Sequence, residues 1–207
     1  MRQEEDSIVI FPPHPYKPFG MSYQHWAIKW WKWFLSIPKK LNPGLDESGI
    51  NCYINQNDHH AWFLAGTFGG FAHRRCFIPA GKSIFFPVIN IEASFNDTKL
   101  TQEHELLSYC KSHIDSIDTG TLQVKLNDRP IPNLDRYRIS TPVFDLNIPN
   151  DNVLDAKAGL TKATSDGYWL FFRPLSNKSN TLSFSGSCLS GKIRIGATYV
   201  IDISNIS

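Results

Sequence analysis

The chain lacks a dominant charge. Lys and Arg number 21 against 19 Asp and Glu, a formal net of +2, and neither sign gathers into a long run. Nucleic-acid binders carry a clustered basic stripe, so no nucleic-acid partner is expected. Long apolar runs are missing too. No stretch approaches the ~20 residues that a membrane helix needs. The opening MRQEEDSIVIF is acidic and has neither the basic start nor the apolar core of a secretory signal; the chain reads as soluble. Of the four cysteines, Cys52, Cys76, Cys110 and Cys188, no two are spaced Cys-x-x-Cys, which argues against a zinc knuckle or a thioredoxin-type centre. Their even number leaves two readings open, one or two disulfides in an oxidising compartment or free buried thiols. No internal repeat is visible.

What is abundant is aromatic surface. Six tryptophans in 207 residues, with 42% hydrophobic composition, suit one globular domain that buries roughly 70% of its unfolded surface. Flat side chains at this density fill a core or line a binding surface, and a core is the commoner use.

Pro12, Pro13, Pro15 and Pro18, closed by Gly20, make residues 1–20 an extended arm. Ser22 is placed to cap a helix that runs to Leu35 and ends before Pro38. At 100° per residue, Trp26, Ala27, Trp30, Trp31, Trp33 and Phe34 share one face of that helix and Lys29 and Lys32 the other. The aromatic face is expected to dock on a sheet. Residues 61–90 then read as strands. AWFLAGTF and FAHRRCFIP flank Gly69-Gly70, whose freedom at positive φ suits a hairpin turn, and IFFPVINI is continuous enough to be a strand covered on both faces. A second helix is expected over 102–117 with Thr101 as cap, burying Leu106, Leu107, Cys110, Ile114 and Ile117. Leu122, Val124 and Leu126 alternate with polar residues as in a half-buried strand, and RYRISTPVF is a further candidate. DGYWLFFRPL, TLSFSG and KIRIGATYVIDIS suggest an antiparallel run. The fold class that follows is mainly β with two helices (α+β), one domain over 21–207 built as an antiparallel β-sandwich of jelly-roll or immunoglobulin-like type.

Motifs for chemistry are sparse. CFIPAGKS at 76–83 ends like a phosphate loop but has Cys76 where the first glycine belongs and a strand where a helix should begin; Lys82 is read as a turn residue. On the expected hairpin, His60 and His73 stand over ~12 Å apart at ~3.3 Å per residue, too far for one zinc ion. Asp58, His59, His60 and His73 are ligand types for a metal, but the histidines are read as surface residues, and neither metal nor cofactor is expected. Glu92 follows the apolar run 84–91 directly, where desolvation would raise its pKa; an Arg74 or Arg138 partner is the structural alternative. Asp166 offers a second carboxylate for acid–base chemistry, although Asp166-Gly167 also reads as a turn. No G-x-S-x-G is present, and Ser187, Cys188 and Ser190 lie in a glycine-bounded turn with no helix to activate them.

Taken in order, WAIKWWKWFLSIP (26–38), WFLAGTFGG (62–70), PAGKSIFFPVIN (79–90), LDRYRISTPVF (134–144) and DGYWLFFRPLS (166–176) resemble a family of bacterial and archaeal proteins of no assigned activity, over residues 20–200. Many of its members look exported. The resemblance implies an extracellular or cell-envelope location and a Cys52–Cys76 bridge, and it is densest at the Trp-rich helix, Glu92 and the DGYW block. The function expected is a non-catalytic binding module whose aromatic surface, with Trp62, Tyr168, Trp169 and Arg74, holds a glycan, a small molecule or a protein partner. The alternative is a hydrolase of ester, lactone or glycosidic bonds using Glu92, Asp166 and His60.

Overall fold

A computed structural model describes residues 10–188 and 193–204. Expectations that rest on residues 1–9 of the arm, and on Ser190, lie outside the described residues. The elements are α1 (Tyr23–Leu35), β1 (Ala61–Phe63), β2 (Gly70–Pro79), β3 (Ser83–Ser94), α2 (Glu103–Asp115), β4 (Gln123–Leu126), β5 (Arg129–Pro130), β6 (Arg138–Ser140), β7 (Phe144–Ile148), β8 (Gly159–Phe172), β9 (Ser179–Cys188) and β10 (Ile193–Ser204). The mainly-β, α+β reading holds.

Both helices begin where cap chemistry puts them. The Ser22 hydroxyl accepts from the His25 amide at 3.4 Å, meeting one of the orphan donors of the first turn of α1. At α2 the cap is Gln102 rather than Thr101, because Glu105 reaches back to the Gln102 amide at 2.9 Å and closes a capping box. Leu106, Cys110, Ile114 and Ile117 are buried as the stripe implies, while Leu107 is exposed.

One sheet has the order β1-β3-β8-β6, with β7 also on β8; the other runs β2-β10-β9-β4-β5. The expected hairpin does not form. β1 pairs in parallel with β3 and β2 in parallel with β10, so the two segments belong to different sheets. Gly70 does adopt a positive φ of 71°, but the chain there is crossing between layers. Arg74 anchors the crossing through bonds of 2.6 and 3.1 Å to the carbonyls of Ala65 and Gly66. The antiparallel run is corrected as well. β9 and β10 pair antiparallel, whereas β8 lies in the other sheet between β3 and the β6 and β7 strands. Both sheets are thus mixed, which gives no support to a jelly-roll or immunoglobulin connectivity.

Alternation along β3 and β8 explains the layering. Phe85, Ala163, Trp169 and Phe171 point outward and are covered by Trp26, Trp30, Trp31 and Phe34 of α1. Ile84, Phe86, Leu170 and Phe172 point inward against Leu182, Phe184, Tyr199 and Ile201 of the second sheet. α2 packs on β3 and β8 of the first sheet, with Leu106 and Cys110 on Ala93. The Cys52–Cys76 disulfide is present, its Cα atoms 6.0 Å apart, and ties the turn-rich segment before β1 to β2. Cys110 and Cys188 are free thiols. Among the described residues no helix is long and apolar enough to cross a membrane.

Candidate functional site

The aromatic residues expected at a binding surface are core residues. Trp62 is 6% exposed, Tyr168 4% and Trp169 0%, each on a strand whose two faces are covered. Arg74, 3% exposed, bonds through Nε and Nη1 to main-chain carbonyls and to the Tyr199 hydroxyl at 2.7 Å, while Nη2 is buried without a hydrogen-bond partner. Its role there is to hold the crossing between sheets.

The acid–base candidates do not converge. Glu92 pairs with Ser165, and Ile91 with Asp166; residues directly opposite across a ladder share a face and neighbours along a strand alternate. Glu92 therefore points outward with Ser165 and Asp166 inward. Asp166 is not in a turn. It sits mid-strand in β8, held by Arg138 through bonds of 3.1 and 2.8 Å, and the same guanidinium reaches Asp115 at 2.6 Å. Gly167 is required beside it, because a Cβ there would come within 2.6 Å of the Asn90 Cβ. His60 precedes β1, at the opposite end of β3 from Glu92, some ~30 Å away at ~3.3 Å per residue, and it stacks on Phe19 with ring centroids 4.3 Å apart.

Neither arginine meets Glu92. Both carboxylate oxygens are buried with no hydrogen-bond partner, and burial, reinforced by the nearby Asp97 carboxylate, holds the group well above the usual carboxylate range. The expected desolvation is thus present, but with no partner for hydrolysis. Among the described residues no group of three or more His, Cys, Asp or Glu side chains is placed to hold a metal ion.

A cleft does form elsewhere, at an edge that strand patterning alone hides. β1 pairs only with Ser83, Ile84 and Phe85 of β3, so from Phe86 onward no described strand covers that edge of β3. Pro87 stands there, where the missing N–H costs no ladder bond, and the register slips by one residue between Pro87 and Ile89. Along this edge opens a cleft of about 330 Å³, inside the range of ordinary ligand sites. The C-terminal half of α1 overhangs it with Trp30, Trp31 and Phe34; Ile114 of α2 and Ile117 just after it, with Ile193 and Ile195 of β10, form the opposite wall. Polar groups are few. The Asn90 Nδ2, buried and without a partner, is on the lining strand. His113 lies across from it, its Nδ1 2.8 Å from the Tyr109 carbonyl, which makes Nδ1 the donor and leaves Nε2 as an acceptor in the neutral ring. Cys188 adds a thiol. Sequence reasoning missed this site, although the proline inside IFFPVINI was a signal that the strand is an edge in part of its length.

No protein-family model matches this sequence, and neither a curated protein nor a solved structure matches it.

Proposed function

We propose that the protein is a binding module whose principal site is the aromatic-lined cleft on the open edge of β3, and that its ligand is a small apolar molecule carrying one hydrogen-bonding group. The observation that carries this reading is the lining of the cleft, with Trp30, Trp31 and Phe34 on one side, Ile114, Ile117, Ile193 and Ile195 on the other, and His113 among the few polar side chains placed to meet a ligand's hydrogen-bonding group. The walls supply apolar area from both layers of the fold, as small-molecule sites do. The block pattern and the disulfide support membership of the exported family described above and a location in an oxidising compartment outside the cytoplasm.

The test is titration with Nile red and with decanoate, followed by tryptophan fluorescence, since Trp30 and Trp31 line the cleft. Saturable binding with one probe per chain is expected. Gly66→Leu is the blocking variant: Gly66 lines the cleft, and a Cβ there meets nothing closer than the Phe184 ring at 3.8 Å. It should abolish binding while leaving the far-ultraviolet circular dichroism unchanged. Equal binding by Gly66→Leu and the parent protein would refute the site.

A further inference from the structure

The second sheet presents its outer face to solvent, and that face is not uniformly polar. Phe71 of β2 is 60% exposed, yet its ring is not free. It lies over Gly196 of the neighbouring β10, close enough that a Cβ on Gly196 would come within 2.7 Å of the ring. Glycine at that position lets the ring settle on the sheet and keep one side open to water.

Register places the surroundings. Phe71 pairs with Gly196, Gly196 with Ser185 and Ser185 with Gln123, so one row of side chains crosses four strands. The next row on one side is His73, Thr198, Ser183 and Lys125. On the other side Arg194 pairs with Ser187, whose amide is held by the Thr121 hydroxyl at 3.1 Å. Rows on one face repeat every second residue, at about 7 Å. Two hollows flank the ring, one of about 410 Å³ reaching Thr121 and Arg194 and one of about 200 Å³ reaching Lys125 and Thr198. Their floors are short because Gly196, Ser183 and Ser185 are short. These three rows carry Lys125, Arg194 and His73 and no carboxylate, and neither Lys125 nor Arg194 has an ion-pair partner among the described residues.

From this arrangement we infer a second binding site, independent of the cleft, for an oligosaccharide that bears carboxylate or sulfate groups. A sugar ring is apolar on its C–H face and polar at its rim. The open Phe71 ring takes the first, hydroxyl and amide side chains on either side take the second, and the two unpaired cations take the acid groups. Burying the exposed ring recovers apolar area, and the charges make binding depend on salt.

Affinity electrophoresis through polygalacturonate, heparin and dextran tests the assignment with the intact protein. Retardation by polygalacturonate or heparin, and not by neutral dextran, is expected. Phe71→Ala leaves the charge unchanged and removes the platform, so it should weaken retardation by about tenfold, ~1.4 kcal/mol in affinity. Lys125→Gln combined with Arg194→Gln should weaken it further and flatten its dependence on salt. Because Phe71 is exposed, the variant should unfold at the parent's temperature, which removes misfolding as an explanation. Equal retardation of Phe71→Ala and parent would mean charge alone binds the polymer and would overturn the platform. No retardation by either acidic polymer, or equal retardation by dextran, would overturn the proposal, as would self-association that Phe71→Ala abolishes, which would give the face to a second copy of the chain.

Discussion

A carboxyl group can be buried in two ways, and Asp166 and Glu92 illustrate them. Asp166 is forked to Arg138; Glu92 has no cation beside it, and burial with the Asp97 carboxyl, only partly offset by the nearby Ser94 hydroxyl, pushes its pKa up. For Glu92 the sign of the pH dependence follows. Its folded pKa is raised above the unfolded value of ~4.3, so its contribution to stability is whole below about pH 4 and is lost as pH rises towards the folded pKa. Glu92→Gln keeps the shape of the neutral acid and cannot ionise. It should match the parent at pH 4 and exceed it at pH 8, by about 1–3 kcal/mol on the scale of an unmet buried polar group, in urea unfolding at the two pH values. A Gln variant less stable than the parent at pH 8 would mean that the carboxylate is ionised and has a partner.

At the scale of elements, α1 is held by what it covers. Thirteen residues of helix are marginal in water on propensity alone, but Trp30 is 2% exposed, stacks on Phe34 with centroids 4.6 Å apart and meets Trp169 edge-on at 5.4 Å. Its indole N–H also donates to the Leu64 carbonyl at 2.8 Å. Trp30→Ala should cost about 3–5 kcal/mol in denaturant unfolding; a loss under 1 kcal/mol would mean that the neighbouring rings close over the gap. The disulfide works on a different state. It joins residues 24 apart, and closing a loop of that size lowers the entropy of the unfolded chain. The double variant Cys52→Ala and Cys76→Ala should lose about 3 kcal/mol, and dithiothreitol should lower the unfolding temperature of the parent without affecting that variant.

For the whole molecule, β10 contributes to both proposed sites from opposite faces, Ile193 and Ile195 to the cleft and Arg194 to the outer hollow. Packed strands transmit little when neither ligand has two arrangements of the strand to choose between. The sites should therefore be additive: Phe71→Ala leaves Nile red affinity at the parent value, and Gly66→Leu leaves polygalacturonate retardation intact. A change of about tenfold in either cross-test would show coupling through β10.

Much of the fold was legible because it depends on local chemistry. Ser22 and the stripe from Trp26 to Phe34 specify α1, and unbroken alternation specifies β10, since each period puts its apolar residues on one face wherever the element finally packs. Cys110 and Ile114 were likewise marked for burial by helical spacing. Pairing is different. Gly69-Gly70 permits a hairpin, but whether AWF meets β2 or β3 depends on which neighbour buries more of both faces, and that comparison spans the chain. The same holds for function. Glu92 and Asp166 are both acid–base candidates in sequence terms, and a single rung of register sends them to opposite faces. The cleft exists because β1 stops at Phe63 while β3 continues to Ser94, and the Phe71 platform exists because Gly196 arrives opposite it from a strand over a hundred residues away. Sequence determines which side chains seek burial and at what period; only the assembled sheets decide which of them meet.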